Sequence, residues 1–226
     1  MLTSTVAKSG NGRIAFYGPG NVAIDEHNLP ADGGLGSIAH SLKEMGNLAQ
    51  IVAYETGFAA LNAKGEVYTW GDSRYPACLG RDTDETSPPS TPGLVADLVG
   101  LPTGKITKIA AGGYLLMAVT EAHDLYAWGG HPGQPALIEG LSHNPSPVVV
   151  EENDVVDMAV GAHHAIILTE GRELFVIGEN ANGQLGLPKE KKTVSWTKVP
   201  FPLEPGSSIH SVACGPRNTF VIVRKE

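Results

Sequence analysis

Asp157-Met-Ala-Val-Gly-Ala-His-His-Ala-Ile-Ile-Leu-Thr-Glu-Gly-Arg-Glu-Leu-Phe-Val-Ile-Gly178 decides how this chain folds, because the chain repeats it. Lys108 to Gly129 aligns on it without a gap: Gly112 falls on Gly161, Thr120-Glu121 on Thr169-Glu170, Leu125-Tyr126 on Leu174-Phe175, and Gly129 on Gly178. Gln50 to Gly71 is a third copy in the same frame. Two half-units remain. Ser211 to Val223 supplies a first half, and Asn11 to Gly18 supplies a second half ending on the matching glycine. A unit that recurs roughly every fifty residues is the signature of a repeat architecture.

Each unit divides into short strands. A small-residue strand such as Ile109-Ala-Ala-Gly112 leads into an apolar one, Leu116-Met-Ala-Val119, and a turn precedes an aromatic-rich strand, Leu125-Tyr-Ala-Trp128. A looser stretch containing proline returns to the next unit. Four antiparallel strands per unit at this period describe one propeller blade. Small residues suit the innermost strand, where neighbouring sheets crowd the axis. Trp70 and Trp128 share one repeat position further out, where twisted sheets diverge and a large ring fills the gap. The expected fold is therefore all-β: a single β-propeller domain over residues 1–226, of about four blades. Their frames lie near 50–71, 108–129 and 157–178, and residues 14–18 with 211–223 join chain start and chain end into one closed blade.

Composition narrows the classes. Of 226 residues, 42% are apolar and 18% charged, with 28 glycines and 16 prolines, which fits strands and turns better than helices or disorder. No apolar run reaches the roughly 20 residues of a membrane span, and Met1 to Ser9 lacks the apolar core of a secretion signal. The net charge of −8 argues against direct nucleic-acid binding, which draws on a positive field. Cys78 and Cys214 read as reduced thiols, so a cytoplasmic or nuclear setting is expected.

The run Gly178-Glu-Asn-Ala-Asn-Gly-Gln-Leu-Gly186, after His164 and Leu168-Thr169 and then Gly171 and Glu173-Leu-Phe175, resembles the regulator of chromosome condensation repeat. The resemblance runs from about Gly12 to the end. The closing Cys214-Gly-Pro-Arg-Asn-Thr-Phe-Val221 is similar to the ends of small adaptor members. It implies a propeller that binds another protein. Its alternatives are guanine-nucleotide exchange on a small GTPase such as Ran, and an adaptor role beside a chromatin demethylase or in diphthamide and Elongator tRNA-modification chemistry. Members usually carry more blades than the four read here, so positions on the ring faces do not transfer. The light-sensing branch needs tryptophans clustered with arginines, which the matching stretches Gly112-Gly-Tyr114, Gly161-Ala-His163 and Gly215-Pro-Arg217 lack.

Catalytic signatures are absent: neither a GxSxG elbow nor a GxxxxGK[ST] phosphate loop occurs, and no enzymatic role is expected. Gly18-Pro-Gly20 and Gly33-Gly-Leu-Gly36 open no credible helix. His163 and His164 are adjacent, so on a strand they face opposite ways and share a metal poorly. His164 reads as a structural histidine. No metal and no cofactor is expected. The remaining reading is an interaction platform whose contacts lie in loops joining strands: Ser73, Arg74 and Tyr75; His131 and Gln134; Asn180, Asn182 and Gln184; and Trp196, which falls outside the repeat frame. The acidic balance suits a protein partner with a basic patch, and a monomer is expected.

Overall fold

The computed structural model describes residues 5–8, 14–17, 45 and 47–225, and the side chains of residue 45 and of 47–225. The order begins with β1 (Thr5–Lys8) and β2 (Ile14–Tyr17), which pair antiparallel. Three sheets of four strands follow: β3 (Leu48–Tyr54), β4 (Gly57–Asn62), β5 (Val67–Gly71) and β6 (Gly93–Leu94); then β7 (Ile106–Gly112), β8 (Leu115–Thr120), β9 (Leu125–Gly129) and β10 (Ser146–Val148); then β11 (Val155–Val160), β12 (His164–Thr169), β13 (Leu174–Glu179) and β14 (Lys192–Val199). Last come β15 (Ser207–Cys214) and β16 (Thr219–Lys225), a sheet of two. The three complete sheets are the three frames read from the sequence.

Every full sheet is a meander, and its first two strands lie against the first strand of the next. β3 and β4 lie against β7, β7 and β8 against β11, and β11 and β12 against β15. A second strand is thus covered on both faces, so β8 and β12 are buried along their whole length and carry the apolar runs Leu115–Val119 and Ala165–Leu168. Three apolar clusters fill the spaces. One lies between the β3 and β7 sheets around Leu61, Ile109, Leu116 and Trp128. One lies between the β7 and β11 sheets around Met117, Ile167 and Phe175, and one between the β11 sheet and β15–β16 around Ile166, Leu168 and Val212. Trp70 and Trp128 are both buried, as core fillers should be.

Close approach between the β7 and β11 sheets is enforced by glycine. A Cβ on Gly112 would stand 2.5 Å from the Gly161 carbonyl oxygen, and one on Gly113, at φ +51°, would stand 2.1 Å from that of Ala162. Side chains at these turns would push neighbouring sheets apart.

A further repeat escapes the simple frame. Each first strand carries a register irregularity one step before Gln50, Lys108, Asp157 or Ser211, a β-bulge at the same repeat position each time. The bulge aims the residue after it across the gap. Gln50 reaches the backbone of Ile109, Lys108 pairs with Asp157, and the Asp157 carboxylate accepts from the backbone N–H of Val212 at 2.9 Å. A second polar device closes the far hairpins: Asn62, Thr120 and Thr169 are all buried, and each side-chain oxygen accepts from the backbone N–H four residues on, in Glu66, Asp124 and Glu173.

The joining of chain ends into one blade is not shown by the pairing. β2 pairs with β1 and β16 with β15, and among the described residues no ladder links the two hairpins. The register gives the reason. Thr5 faces Tyr17 as Phe58 faces Trp70 and Leu116 faces Trp128, so β1 and β2 hold the second and third positions of a blade. β1 lies against β3, the contact a second strand makes with the next sheet. The second position beside β15 belongs to β16, and a shared blade of Ile14–Tyr17 with Ser211–Val223 is not shown among the described residues. Gly18-Pro-Gly20 and Gly33–Gly36 lie outside the described residues.

Candidate functional site

In each sheet the turn between the first two strands and the loop between the last two open on one rim, and the richest chemistry lies there. After β5, Asp72 accepts from the Arg74 backbone N–H at 2.9 Å and grips its guanidinium, which fixes the exposed Ser73–Arg74 corner. That grip holds the Asp72 carboxyl below the usual carboxylate range. Tyr75 then caps a single helical turn, Pro76–Leu79, which begins on proline and ends at Gly80 with φ 63°. Gly80 permits the close approach of Trp128, whose indole nitrogen would lie 2.6 Å from a Cβ there.

This turn delivers Tyr75 to two rings of the next sheet. Tyr75 stacks on Tyr114, from the β7–β8 turn, with ring centres 5.3 Å apart. His131, from the β9–β10 loop, sits edge-on to Tyr114 at 4.7 Å and tilted to Tyr75 at 5.5 Å. Arg74 lies over the Tyr75 ring at 5.8 Å. Beneath them the buried Cys78 Sγ lies 3.6 Å from the carbonyl oxygens of Tyr114 and Gly130, tying both loops to the helical turn. Burial pushes this thiol up, so it stays protonated and weakly reactive. The Tyr114 hydroxyl is also pushed up, first by burial and then by neighbouring Tyr75.

Tyr114 and His131 continue into a groove of about 690 Å³ between the β7 and β11 sheets. Gln134, Glu139, His163, Glu179 and Lys192 line it with them. The loop 130–141 forms one wall, and the ends of β13 and β14 form the other.

The sequence-derived candidates divide accordingly. Tyr75 and His131 are brought together, Arg74 joins them, Ser73 is exposed on the same corner, and Gln134 lines the groove. Asn180 and Gln184 are instead buried, and their burial removes them from an exposed contact surface. Asn180 donates to the carbonyls of Leu187 and Glu190 and accepts from the Leu185 N–H, stapling its own loop. Gln184 accepts from the Asn182 N–H, while its carbonyl takes the Thr219 hydroxyl. Asn182 is exposed beside an apolar slot of about 250 Å³ between the β11 sheet and β16. Trp196 is half-buried against the apolar cluster around Phe175 and Ile177.

The histidines separate as expected. His164 is fully buried, and its Nε2 meets the Thr219 hydroxyl at 2.9 Å across the gap to β16. His163 faces the groove. Sequence reading misses Tyr114, Glu139 and Glu179. A signal exists for two of them: Tyr114 shares its repeat position with His163, and Glu179 directly follows the frame glycine Gly178.

Comparison with known proteins agrees with this architecture. The regulator of chromosome condensation (RCC1) repeat matches residues 64–119 and 173–222, and a second model of the same repeat matches 155–184. Human E3 ubiquitin-protein ligase HERC2 is 28% identical over 236 residues, covering 96% of this chain and 4% of that protein. The Regulator of chromosome condensation of Drosophila melanogaster is 30% identical over 195 residues, covering 84% of this chain and 32% of its own length. Human WBSCR16 superposes with a TM-score of 0.66 at 20% identity, over 98% of this chain and 56% of that one. Prp20p from Saccharomyces cerevisiae, a protein with binding properties to Gsp1p and histones, superposes at 0.64 with 17% identity, over 99% and 54%. The chain therefore spans about half of those solved propellers and less of the two sequence relatives.

Proposed function

The chain belongs to the regulator of chromosome condensation (RCC1) repeat family, and from that premise we propose that it is a non-enzymatic adaptor that binds another protein through its loop rim. The observation that carries this reading is the meeting of Tyr75, Tyr114 and His131, from separate loops of two sheets, at the edge of the 690 Å³ groove. Aromatic side chains held by a rigid scaffold beside a concave surface are the composition of interaction hot spots. The binding of Prp20p to Gsp1p and histones supports the kind of partner. The two free thiols go with a cytoplasmic or nuclear setting.

A photo-crosslinking amino acid at Gln134, in the groove, is expected to capture a stoichiometric protein from extract. The same group at Glu121, at the far hairpin end of the β7 sheet, is expected to capture none. Equal capture at both positions, or none at Gln134, overturns the reading. Release of labelled GDP from a Ran-type GTPase is expected to be unchanged by the protein, and acceleration would make it an exchange factor instead.

A further inference from the structure

We infer that the groove between the β7 and β11 sheets receives an extended segment of the partner that carries a lysine or arginine, an assignment that rests on the adaptor reading above. One wall presents aromatic surface, with Tyr114 and His131 locked edge-to-face at 4.7 Å. The lining also presents Glu139 and Glu179, both exposed, and among the described residues neither carboxylate forms an ion pair. Lys192 stands opposite Glu179 in the β13–β14 ladder, so the lining keeps one carboxylate in excess over its lysine.

Aromatic faces and carboxylates together suit a cation whose stem is apolar: the head meets the acid, and the methylenes lie along the rings. The ring cluster already shows this chemistry on its outer side, where Arg74 lies over Tyr75 at 5.8 Å and is gripped by Asp72. The groove repeats those components on the inner side without a cation of its own chain over Tyr114 among the described residues. A concave groove between two sheets, walled by a loop and by strand ends, fits a chain segment better than a flat protein face.

The test uses a random dodecapeptide library displayed on phage, selected on the whole protein. Enriched peptides are then measured by fluorescence polarisation against the wild type and the Glu139→Gln/Glu179→Gln variant. Expected are peptides sharing a lysine or arginine, bound about tenfold more weakly by the variant, with melting temperature unchanged. No enrichment, enrichment without a shared basic position, or equal binding by the variant overturns the assignment. The two readings fail separately. Crosslinking from Gln134 that persists in the double variant sinks the basic segment and leaves the adaptor standing, whereas loss of crosslinking in the wild type sinks the adaptor.

Discussion

The side-chain amide of Gln50 holds both backbone groups of Ile109 in the neighbouring sheet: its Oε1 accepts the Ile109 N–H at 2.9 Å, and its Nε2 donates to the Ile109 carbonyl at 2.6 Å. Such a bidentate amide clasp substitutes for a strand ladder where two sheets meet without sharing one. It also satisfies the backbone groups of Ile109 on β7, the edge strand of its sheet.

Replacing Gln50 by Leu strands the donor and the acceptor of Ile109 together. A loss of about 2 kcal/mol is expected in urea unfolding. Gln50→Glu keeps the acceptor but points a carboxylate at the Ile109 carbonyl, so it is expected to recover none of that loss. A Glu variant as stable as wild type would show that the clasp contributes nothing.

Asp157 serves two neighbours at once, accepting from its own strand at Met158 (2.7 Å), from Val212 in the next sheet, and from Lys108 in the previous one. It is buried, whereas the Lys108 side chain is 39% exposed. Asp157→Ala should therefore cost about 3 kcal/mol through stranded N–H groups, and Lys108→Ala under about 1 kcal/mol through a screened pair. Chemical denaturation of the two single variants separates these values, and equal losses would refute the asymmetry.

Burial lowers the pKa of His164 below the ordinary imidazole value of 6.5. Between the folded and unfolded values the unfolded chain binds more protons, so stability is full above about pH 6.5 and is lost as pH falls through the folded value. Thermal melts from pH 7.5 down to about 5 are expected to show a falling midpoint. In His164→Gln that part of the slope should vanish, although the baseline is lower. An unchanged slope would place the titration elsewhere.

His123 turns the β8–β9 hairpin with φ at +70°, a conformation unfavourable to any residue with a Cβ. Its backbone carbonyl accepts from the Val155 N–H at 3.0 Å, a bond that substitution leaves intact. His123→Gly is expected to stabilise the protein by up to about 1 kcal/mol, read as a rise in melting temperature. A fall would reveal an undetected role for the imidazole.

Much of the fold is written plainly in the chain. The frames around Trp70, Trp128 and Ile177 sit on three complete sheets because their second strands, covered on both faces, have apolar interiors. The fourth strands are less legible. β6 is only Gly93–Leu94 and β10 contains Pro147, so neither carries a period. β1 is illegible for a related reason: Thr5-Val-Ala-Lys8 is too polar to read as a second strand. In the site, Tyr75 and His131 are legible as a loop aromatic and a loop histidine. Their meeting with Tyr114 is not, because it depends on how two sheets face each other. Asn180 and Gln184 look like surface amides in sequence, yet tight loops consume both.

The belt of clasps points in one direction along the chain. Gln50 reaches Ile109, Lys108 reaches Asp157, and Asp157 reaches Val212, so each sheet is latched to a successor made later. On the ribosome, a newly emerged sheet therefore waits, its bulge residue unanswered, until roughly one more repeat has been translated. Assembly is thus expected to be paced from the N-terminal side, each sheet latching as its successor forms.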